Sequence, residues 1–137
     1  MTYPNNPDGT NPPGDTSDKI IKSDSQWREI LTPEQYYILR KAGTERPYTG
    51  VFNDHYEAGL YRCAGCGQVL FKSDTKYPSH CGWPAFYDVE QQGRILRRTD
   101  RSAGMVRTEV LCRRCGGHLG HVFQDGPPPT GLRYCIN

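Results

Sequence analysis

Hydrophobic positions divide the chain into a polar beginning, two short helical patterns and a series of short strand patterns. Residues 1–22 are rich in Asn, Pro, Gly, Asp and Thr and contain almost no large apolar side chain. Such a composition cannot offset the entropy of ordering, which predicts a disordered tail. Trp27, Ile30 and Leu31 then recur at helical spacing, which predicts a short helix over 25–31 with these three side chains on one face.

A second helix is predicted by its start and stop signals. Residues 32–35, Thr-Pro-Glu-Gln, form a capping-box pattern with Pro at the first helical position. Tyr36, Leu39 and Arg40 follow on one face, and Gly43 is a candidate left-handed stop. The chain therefore predicts two consecutive short helices before its strand-rich part.

After Pro47, short apolar segments alternate with Gly, Pro, Asp and Ser. The predicted strands cover residues 59–63, 68–72, 86–89, 94–99, 105–111, 118–123 and 132–137. In the fifth, Val106 and Val110 alternate with Arg107 and Glu109, which is typical of a half-buried strand with its charged positions facing solvent. Seven short strands after two helices predict a mainly β domain, with antiparallel sheets or a small barrel and helices at one end.

Composition and charge narrow the possible functions. The chain has 137 residues, so we expect one folded domain over residues 23–137. No apolar run approaches the roughly 20 residues of a membrane span, and residues 1–18 lack the features of a secretory signal. We therefore expect a cytoplasmic protein without a membrane role, monomeric by default. A net charge of +2 without a long basic block argues against a nucleic-acid partner.

Four of the six cysteines form two copies of the pattern C-x-x-C-G, at residues 63–67 and 112–116. A two-residue gap lets one tight turn present two thiolates to a tetrahedral ion, and the Gly permits a positive φ that directs backbone N–H groups towards the sulfurs. Two such turns make a closed site that suits structural zinc. The predicted ligands are Cys63, Cys66, Cys112 and Cys115. Because the two turns lie farther apart in sequence than in compact zinc ribbons, we expect the ion to join two distant hairpins of a larger sheet.

Three other protein classes use cysteine in such numbers. A secreted domain with three disulfides needs a signal peptide, and a disulfide isomerase uses C-x-x-C itself as its active dithiol. A zinc-binding interaction or nucleic-acid module leaves Cys81 and Cys135 without a role. Counting reactive thiols separates these classes, because a redox catalyst with bound zinc keeps two reactive thiols that can be oxidised together to one disulfide.

The two remaining cysteines lie in different surroundings. In a strand over 132–137, the period of two places Arg133, Cys135 and Asn137 on one face and the intervening side chains in the core. A neighbouring cation favours thiolate, so Cys135 is a candidate nucleophile. Cys81 lies in the turn-prone stretch SHCGWP, where a mobile thiol could approach a reacting one. Both could instead be buried and inert, as free cysteines often are.

Two histidines complete the candidate chemistry. His118 and His121 lie in one predicted strand, and two imidazoles near a thiol are candidates for proton transfer. They could also bind a metal, although the four cysteines already complete a site. A Pro-rich loop that begins at Asp125 leads from this strand to Cys135.

Taken together, these segments resemble the B-type methionine sulfoxide reductase family. The resemblance runs from about residue 25 to the end and is carried by residues 61–67, 81–86 (CGWPAF), 107–110, 112–115, 118–123 (HLGHVF), 125–127 and 130–137. It implies two antiparallel sheets with peripheral helices. It also implies reduction of the R epimer of methionine sulfoxide in proteins and peptides.

The resemblance implies a role for individual residues. Cys135 would be the catalytic cysteine, and Cys81 would resolve its sulfenic acid to a disulfide that thioredoxin reduces. Trp83 would receive the methyl group of the substrate. The polar groups around the sulfoxide oxygen would be His118, His121 and Asn137, and further residues of the substrate site would be Phe123, Arg133 and Asp125.

The sequence departs from the family pattern at two places. Ala85 stands where Ser is common, from which we expect a mild effect. The sequence ends at Asn137, where members usually continue for several residues. A terminal carboxylate this close to Cys135 would oppose thiolate formation unless Arg133 compensates.

Overall fold

The computed structural model describes residues 19–137. Residues 1–18 of the predicted tail therefore lie outside the described residues. Of its last residues, Ile20 packs against the core, and its N–H donates to the carbonyl of Arg114 at 2.7 Å. None of the helices in the described part of the chain is long and apolar enough to cross a bilayer.

Helix α1 comprises Asp24–Ile30, and Ser23 caps it in a reciprocal capping box with Gln26. Trp27 is buried as predicted, but the prediction was wrong for Ile30, which is 57% exposed. Leu31 follows the helix with an extended backbone, so the three apolar positions do not share one helical face.

Helix α2 comprises Pro33–Lys41, with the predicted capping box between Thr32 and Gln35. Its left-handed C-cap is Ala42, with φ 54°, and not Gly43 as predicted. Gly43 instead leaves space for the ring of Tyr37, because a Cβ atom at residue 43 would lie 2.3 Å from that ring. The close approach of that ring accounts for a glycine one residue after the cap.

Seven strands follow, and each overlaps a predicted one. They are β1 Leu60–Arg62, β2 Val69–Lys72, β3 Ala85–Phe86, β4 Ile95–Asp100, β5 Arg107–Cys112, β6 His118–Phe123 and β7 Arg133–Ile136. β1 and β2 form one antiparallel sheet, and the other five form a second in the order β3-β7-β6-β5-β4. This confirms a mainly β domain with two antiparallel sheets. Within residues 19–137 the larger sheet stays open at β3 and β4, so the core resembles a barrel only loosely.

Aromatic side chains from both sheets form the core between them. Phe71 on β2 stacks on Phe86 of β3, with ring centroids 4.4 Å apart. Tyr61 on β1 and Tyr134 on β7 pack at the edges of these rings. Because Tyr134 and its neighbour Ile136 point into the core, Cys135 between them points to the opposite face of β7.

The alternation predicted for β5 fails at two positions. Val106 precedes the strand and is exposed, whereas Glu109 is only 5% exposed. The Glu109 carboxylate accepts a hydrogen bond from Arg98 Nε at 3.0 Å and pairs with His118 Nδ1 at 2.6 Å. These two partners stabilise a buried charge that the strand pattern alone would place in solvent.

Candidate active site

Strand register places the candidate nucleophile beside one of the histidines. Cys135 on β7 lies directly opposite His121 on β6, and His121 lies opposite Glu109 on β5. On its other side Cys135 faces Ala85 of β3, the residue that departs from the family pattern. Directly opposed residues of antiparallel strands share a face, with Cβ atoms about 4.5–5.5 Å apart. The sheet therefore brings the Cys135 thiol and the His121 imidazole together.

The two cysteines outside the C-x-x-C-G turns meet at this face. Cys81 Sγ lies 3.3 Å from Cys135 Sγ, which is contact between two free thiols and longer than the disulfide bond length of about 2.05 Å. Cys81 lies on a bend, as predicted, where Ser79 Oγ donates to its sulfur at 3.0 Å. Both thiols are half-buried, so neither is enclosed in a dry interior.

Contact between the sulfurs separates their acidities. It lowers the pKa of Cys81 to about 5, with further help from the Ser79 hydroxyl. The same contact, together with burial, raises the pKa of Cys135, because the second thiol would ionise next to a negative sulfur. Attack by Cys135 requires its thiolate, which forms either through a lowered pKa of the thiol or through loss of its proton when substrate binds. In this arrangement Cys81 loses its proton first. Cys135 must therefore lose its own proton only when substrate binds.

Each histidine is held by a carboxylate that sequence analysis did not identify. His121 Nε2 lies 2.8 Å from Asp100 Oδ2, and His118 Nδ1 lies 2.6 Å from Glu109 Oε2. Burial lowers the pKa of His118, while Glu109 opposes that shift. The only sequence signal for these partners was an acidic residue within or at the end of a strand. A carboxylate on one ring nitrogen fixes the orientation of the imidazole, which suits proton transfer.

Asn137 and Trp83 are joined through the backbone of one residue. The N–H of Glu45 donates to Asn137 Oδ1 at 3.0 Å, and Trp83 Nε1 donates to the Glu45 carbonyl at 2.9 Å. Asn137 Nδ2 also donates to the carbonyl of Leu119 at 2.8 Å. The Trp83 ring is half-buried, so it packs on the protein while keeping part of its surface open. The sequence had given Glu45 no role.

Arg133, Asp125 and Phe123 form a second group on the same face. Arg133 donates two hydrogen bonds to the Asp125 carboxylate, at 2.8 and 3.2 Å. This pairing lowers the pKa of Asp125 and raises that of Arg133. The Arg133 guanidinium also lies 4.4 Å from the ring centroid of Phe123. Arg133 is therefore fixed close to Cys135, where its charge favours the thiolate against the effect of Cys81.

A cavity of about 310 Å³ adjoins this site without containing the thiols. His118, Asn137 and Glu45 line one side of it, and residues of α2 line another. Neither Cys81 nor Cys135 lines it, so the cavity is not where a substrate would meet the thiols.

The other four cysteines form a compact cluster between the sheets. The ligand atoms of Cys63, Cys66, Cys112 and Cys115 all lie within 4.8 Å of one another, and two Sγ–Sγ distances are 3.6 Å. Four sulfurs in tetrahedral coordination at the usual zinc–sulfur distance lie about 3.8 Å apart. The cluster could therefore hold a metal ion, and a set of four thiolates suits zinc.

Both turns of the cluster have the positive φ that their sequences predict at glycine, although the glycine N–H groups bind carbonyls and not the sulfurs. Gly67 and Gly116 have φ of 80° and 75°, and their N–H groups donate to the carbonyls of Cys63 and Cys112. One turn joins β1 to β2 and the other joins β5 to β6. The cluster therefore links two separate sheets, and not two hairpins of one sheet as predicted.

Comparison with known proteins identifies the family. The SelR domain matches residues 31–137. A protein of Agrobacterium fabrum named peptide methionine sulfoxide reductase MsrB is 61% identical over 122 residues, which cover 89% of this chain and 90% of that protein. Proteins of the same name from Thiobacillus denitrificans and Methanosarcina mazei are 60% and 58% identical, covering 85% and 87% of this chain and 88% and 85% of their own lengths. With its paired thiols and its four-cysteine cluster, the chain belongs to the MsrB family of peptide methionine sulfoxide reductases.

Proposed function

We propose that this protein reduces the R epimer of methionine sulfoxide in proteins and peptides to methionine. The observation that carries the proposal is the 3.3 Å contact between Cys81 and Cys135 on a partly open face next to His121. Two free thiols at this distance can both attack a substrate and form a disulfide. We expect the enzyme to act as a monomer in the cytoplasm, where thiols are kept reduced.

In the first step, the Cys135 sulfur attacks the electrophilic sulfur of the sulfoxide. The sulfoxide oxygen passes to Cys135, which becomes a sulfenic acid, and methionine leaves as the thioether. The sulfoxide gains two electrons and the cysteine sulfur loses two, so no other reductant is needed at this stage. Proton transfer from Cys135 to His121, which lies opposite it on β6, supplies the attacking thiolate as substrate binds.

Groups around Cys135 assist this step. His121, held by Asp100, delivers the proton that the sulfoxide oxygen needs, with His118 nearby. Asn137 orients the oxygen or a water molecule. Trp83 contacts the methyl group of the substrate, while its anchored N–H keeps the ring in place.

In the second step, the Cys81 sulfur attacks the sulfenic sulfur of Cys135. A disulfide forms, and the sulfenic oxygen leaves as water, with its own proton and one proton taken up from solvent. The sulfurs need to approach by little more than 1 Å from their separation of 3.3 Å. An external dithiol, for which we propose thioredoxin, then restores both thiols by exchange through a mixed disulfide.

We also propose that the ion in the four-cysteine cluster is zinc and that its role is structural. Four protein ligands leave no coordination position for water or substrate. The cluster residues Cys63 and Cys112 are fully buried and do not line the face of Cys135. Bound zinc would therefore hold the two sheets together and take no part in sulfoxide reduction.

The proposed function predicts which epimer the protein consumes and how many turnovers it completes. With the R epimer and thioredoxin the protein should turn over repeatedly, and with the S epimer it should produce no methionine. The variant Cys81→Ser should convert about one equivalent of the R epimer and then stop with thioredoxin, because its sulfenic acid has no resolving thiol. Chiral chromatography of the product tests both outcomes. Consumption of the S epimer, or normal recycling of Cys81→Ser, would contradict the proposal.

Asp100 is expected to affect the rate of the first step by fixing the imidazole of His121. In Asp100→Asn the carboxylate that fixes the imidazole is lost, so we expect the first turnover to slow about ten- to hundredfold, part of the usual contribution of proton transfer. KM should change little, because Asp100 does not reach the substrate. Single-turnover kinetics measures the effect. Asp74→Asn, at an exposed position, is the control, and an unchanged rate in Asp100→Asn would exclude a role for the pair.

A further inference from the structure

A short segment after α2 is hydrogen-bonded to the loop that carries Cys81. This segment, residues 45–48, is called the clasp below. Through Glu45 it holds Asn137 and Trp83, as described above. Through Tyr48 it holds the Cys81 loop. The proposed reaction does not yet explain this second contact.

Tyr48 binds the backbone on both sides of Cys81. Its side-chain hydroxyl donates to the carbonyl of His80 at 2.9 Å, and its backbone N–H donates to the carbonyl of Gly82 at 2.6 Å. The residue is 66% exposed, so its ring contributes little to the core. Its contacts therefore serve the position of the Cys81 loop more than the packing of the domain.

The loop does not hold this conformation by its own preference. His80 has φ 60° and Tyr48 has φ 65°, a region that side chains other than glycine rarely occupy. These are two of the three such non-glycine residues among residues 19–137, and the Tyr48 hydroxyl bonds one to the other. At Gly82, with φ 95°, a Cβ atom would lie 2.8 Å from the Cβ atom of Pro47 in the clasp. A strained loop persists only where surrounding contacts impose it, and here the clasp supplies those contacts.

We propose that Tyr48 is a positioning residue for the resolving step, which holds the Cys81 sulfur within reach of the Cys135 sulfur. The inference rests on the proposed function, in which Cys81 attacks the sulfenic acid of Cys135. The rate of that attack depends on the fraction of molecules in which Cys81 points towards Cys135. Tyr48 touches neither reacting sulfur and acts only through the His80 and Gly82 carbonyls. The first step does not require Cys81 to move, so it does not depend on Tyr48.

The variant Tyr48→Phe tests this, because it removes the hydroxyl and keeps the ring and the backbone N–H. Reduced, zinc-loaded protein is mixed with a peptide that contains the R epimer of methionine sulfoxide, and the reaction is quenched at intervals. Methionine is measured by chromatography, and the Cys81–Cys135 disulfide by mass spectrometry after alkylation of free thiols. We expect methionine to form at the wild-type rate and the disulfide to form about two- to tenfold more slowly, the usual contribution of one hydrogen bond. Sulfenic acid should accumulate and be captured by dimedone.

Tyr37→Phe is the matched control, because no hydrogen bond of its hydroxyl is found among residues 19–137 and its ring is also exposed. Disulfide formation at the wild-type rate in Tyr48→Phe would overturn the inference. Equal slowing of methionine and disulfide formation would also overturn it, since that indicates general damage to the fold. Absence of both products in the wild-type protein would instead overturn the proposed function.

A second substitution tests the mechanism of positioning. Glycine adopts a positive φ without strain, so His80→Gly should reduce the need for the Tyr48 hydroxyl. We expect Tyr48→Phe to slow disulfide formation less in the His80→Gly background than in the wild-type background. Equal slowing in both backgrounds would show that the hydroxyl does not act through the His80 conformation.

Discussion

Substitution of Cys135 by Ser should leave no detectable reduction of methionine sulfoxide, even in a single turnover. A serine hydroxyl does not ionise near neutral pH and cannot accept the oxygen as a sulfenic acid, so the first step has no nucleophile. The change removes one sulfur at a half-buried position and should leave the fold intact. The measurement is methionine formed per protein chain from the R epimer, with thermal unfolding as the control for folding. A normal first turnover in Cys135→Ser would show that the nucleophile lies elsewhere.

The same variant should change the ionisation of Cys81. Contact with Cys135 is the main cause of the low pKa of Cys81, at about 5, so in the wild-type protein this thiol is ionised above that pH. Without the contact the pKa should rise towards the ordinary value for cysteine, and Cys81 should stay protonated to higher pH. Ultraviolet absorbance of the thiolate, followed from pH 4 to pH 9, measures the shift. An unchanged titration would mean that the sulfur contact does not control the pKa of Cys81.

Removal of the metal ion should unfold the protein. Structural zinc sites bind with apparent free energies of about 10–16 kcal/mol, whereas the whole stability of a domain is about 5–15 kcal/mol. Loss of the ion would leave four crowded thiols in the turns that connect the two separate sheets. We therefore expect a strong chelator to abolish the folded state at room temperature. Circular dichroism and zinc analysis of the same samples measure the effect.

Two further observations separate a structural metal from other causes of instability. Added zinc should refold the chelated wild-type protein, whereas Cys115→Ser, which lacks one ligand, should recover poorly. Ser79→Ala changes a residue outside the cluster and should keep its zinc and its stability. A metal-free protein that is as stable and as active as the zinc-loaded form would contradict the structural role.

Local signals predicted most of the fold, because they act within a few residues. The Thr32–Gln35 capping box and the two C-x-x-C-G turns occur as the sequence indicates. The inward direction of Tyr134 also follows from the period of a strand. The errors arose where partners distant in sequence decide the outcome. Glu109 is buried because Arg98 and His118 satisfy its charge, and a strand pattern contains no information about such partners.

Residue types and their spacing along the chain indicated which groups could do the chemistry: four cysteines in metal-binding turns, two cysteines outside them, and two histidines on one strand. The tertiary structure decided their relations, and it alone placed Cys81 at 3.3 Å from Cys135, gave each histidine a carboxylate and set Tyr48 on the Cys81 loop. The physical reason is that spacing along the chain controls contacts only within a turn or a hairpin. Contacts between distant segments depend on strand order, register and the packing of the sheets, which arise only when the whole chain folds.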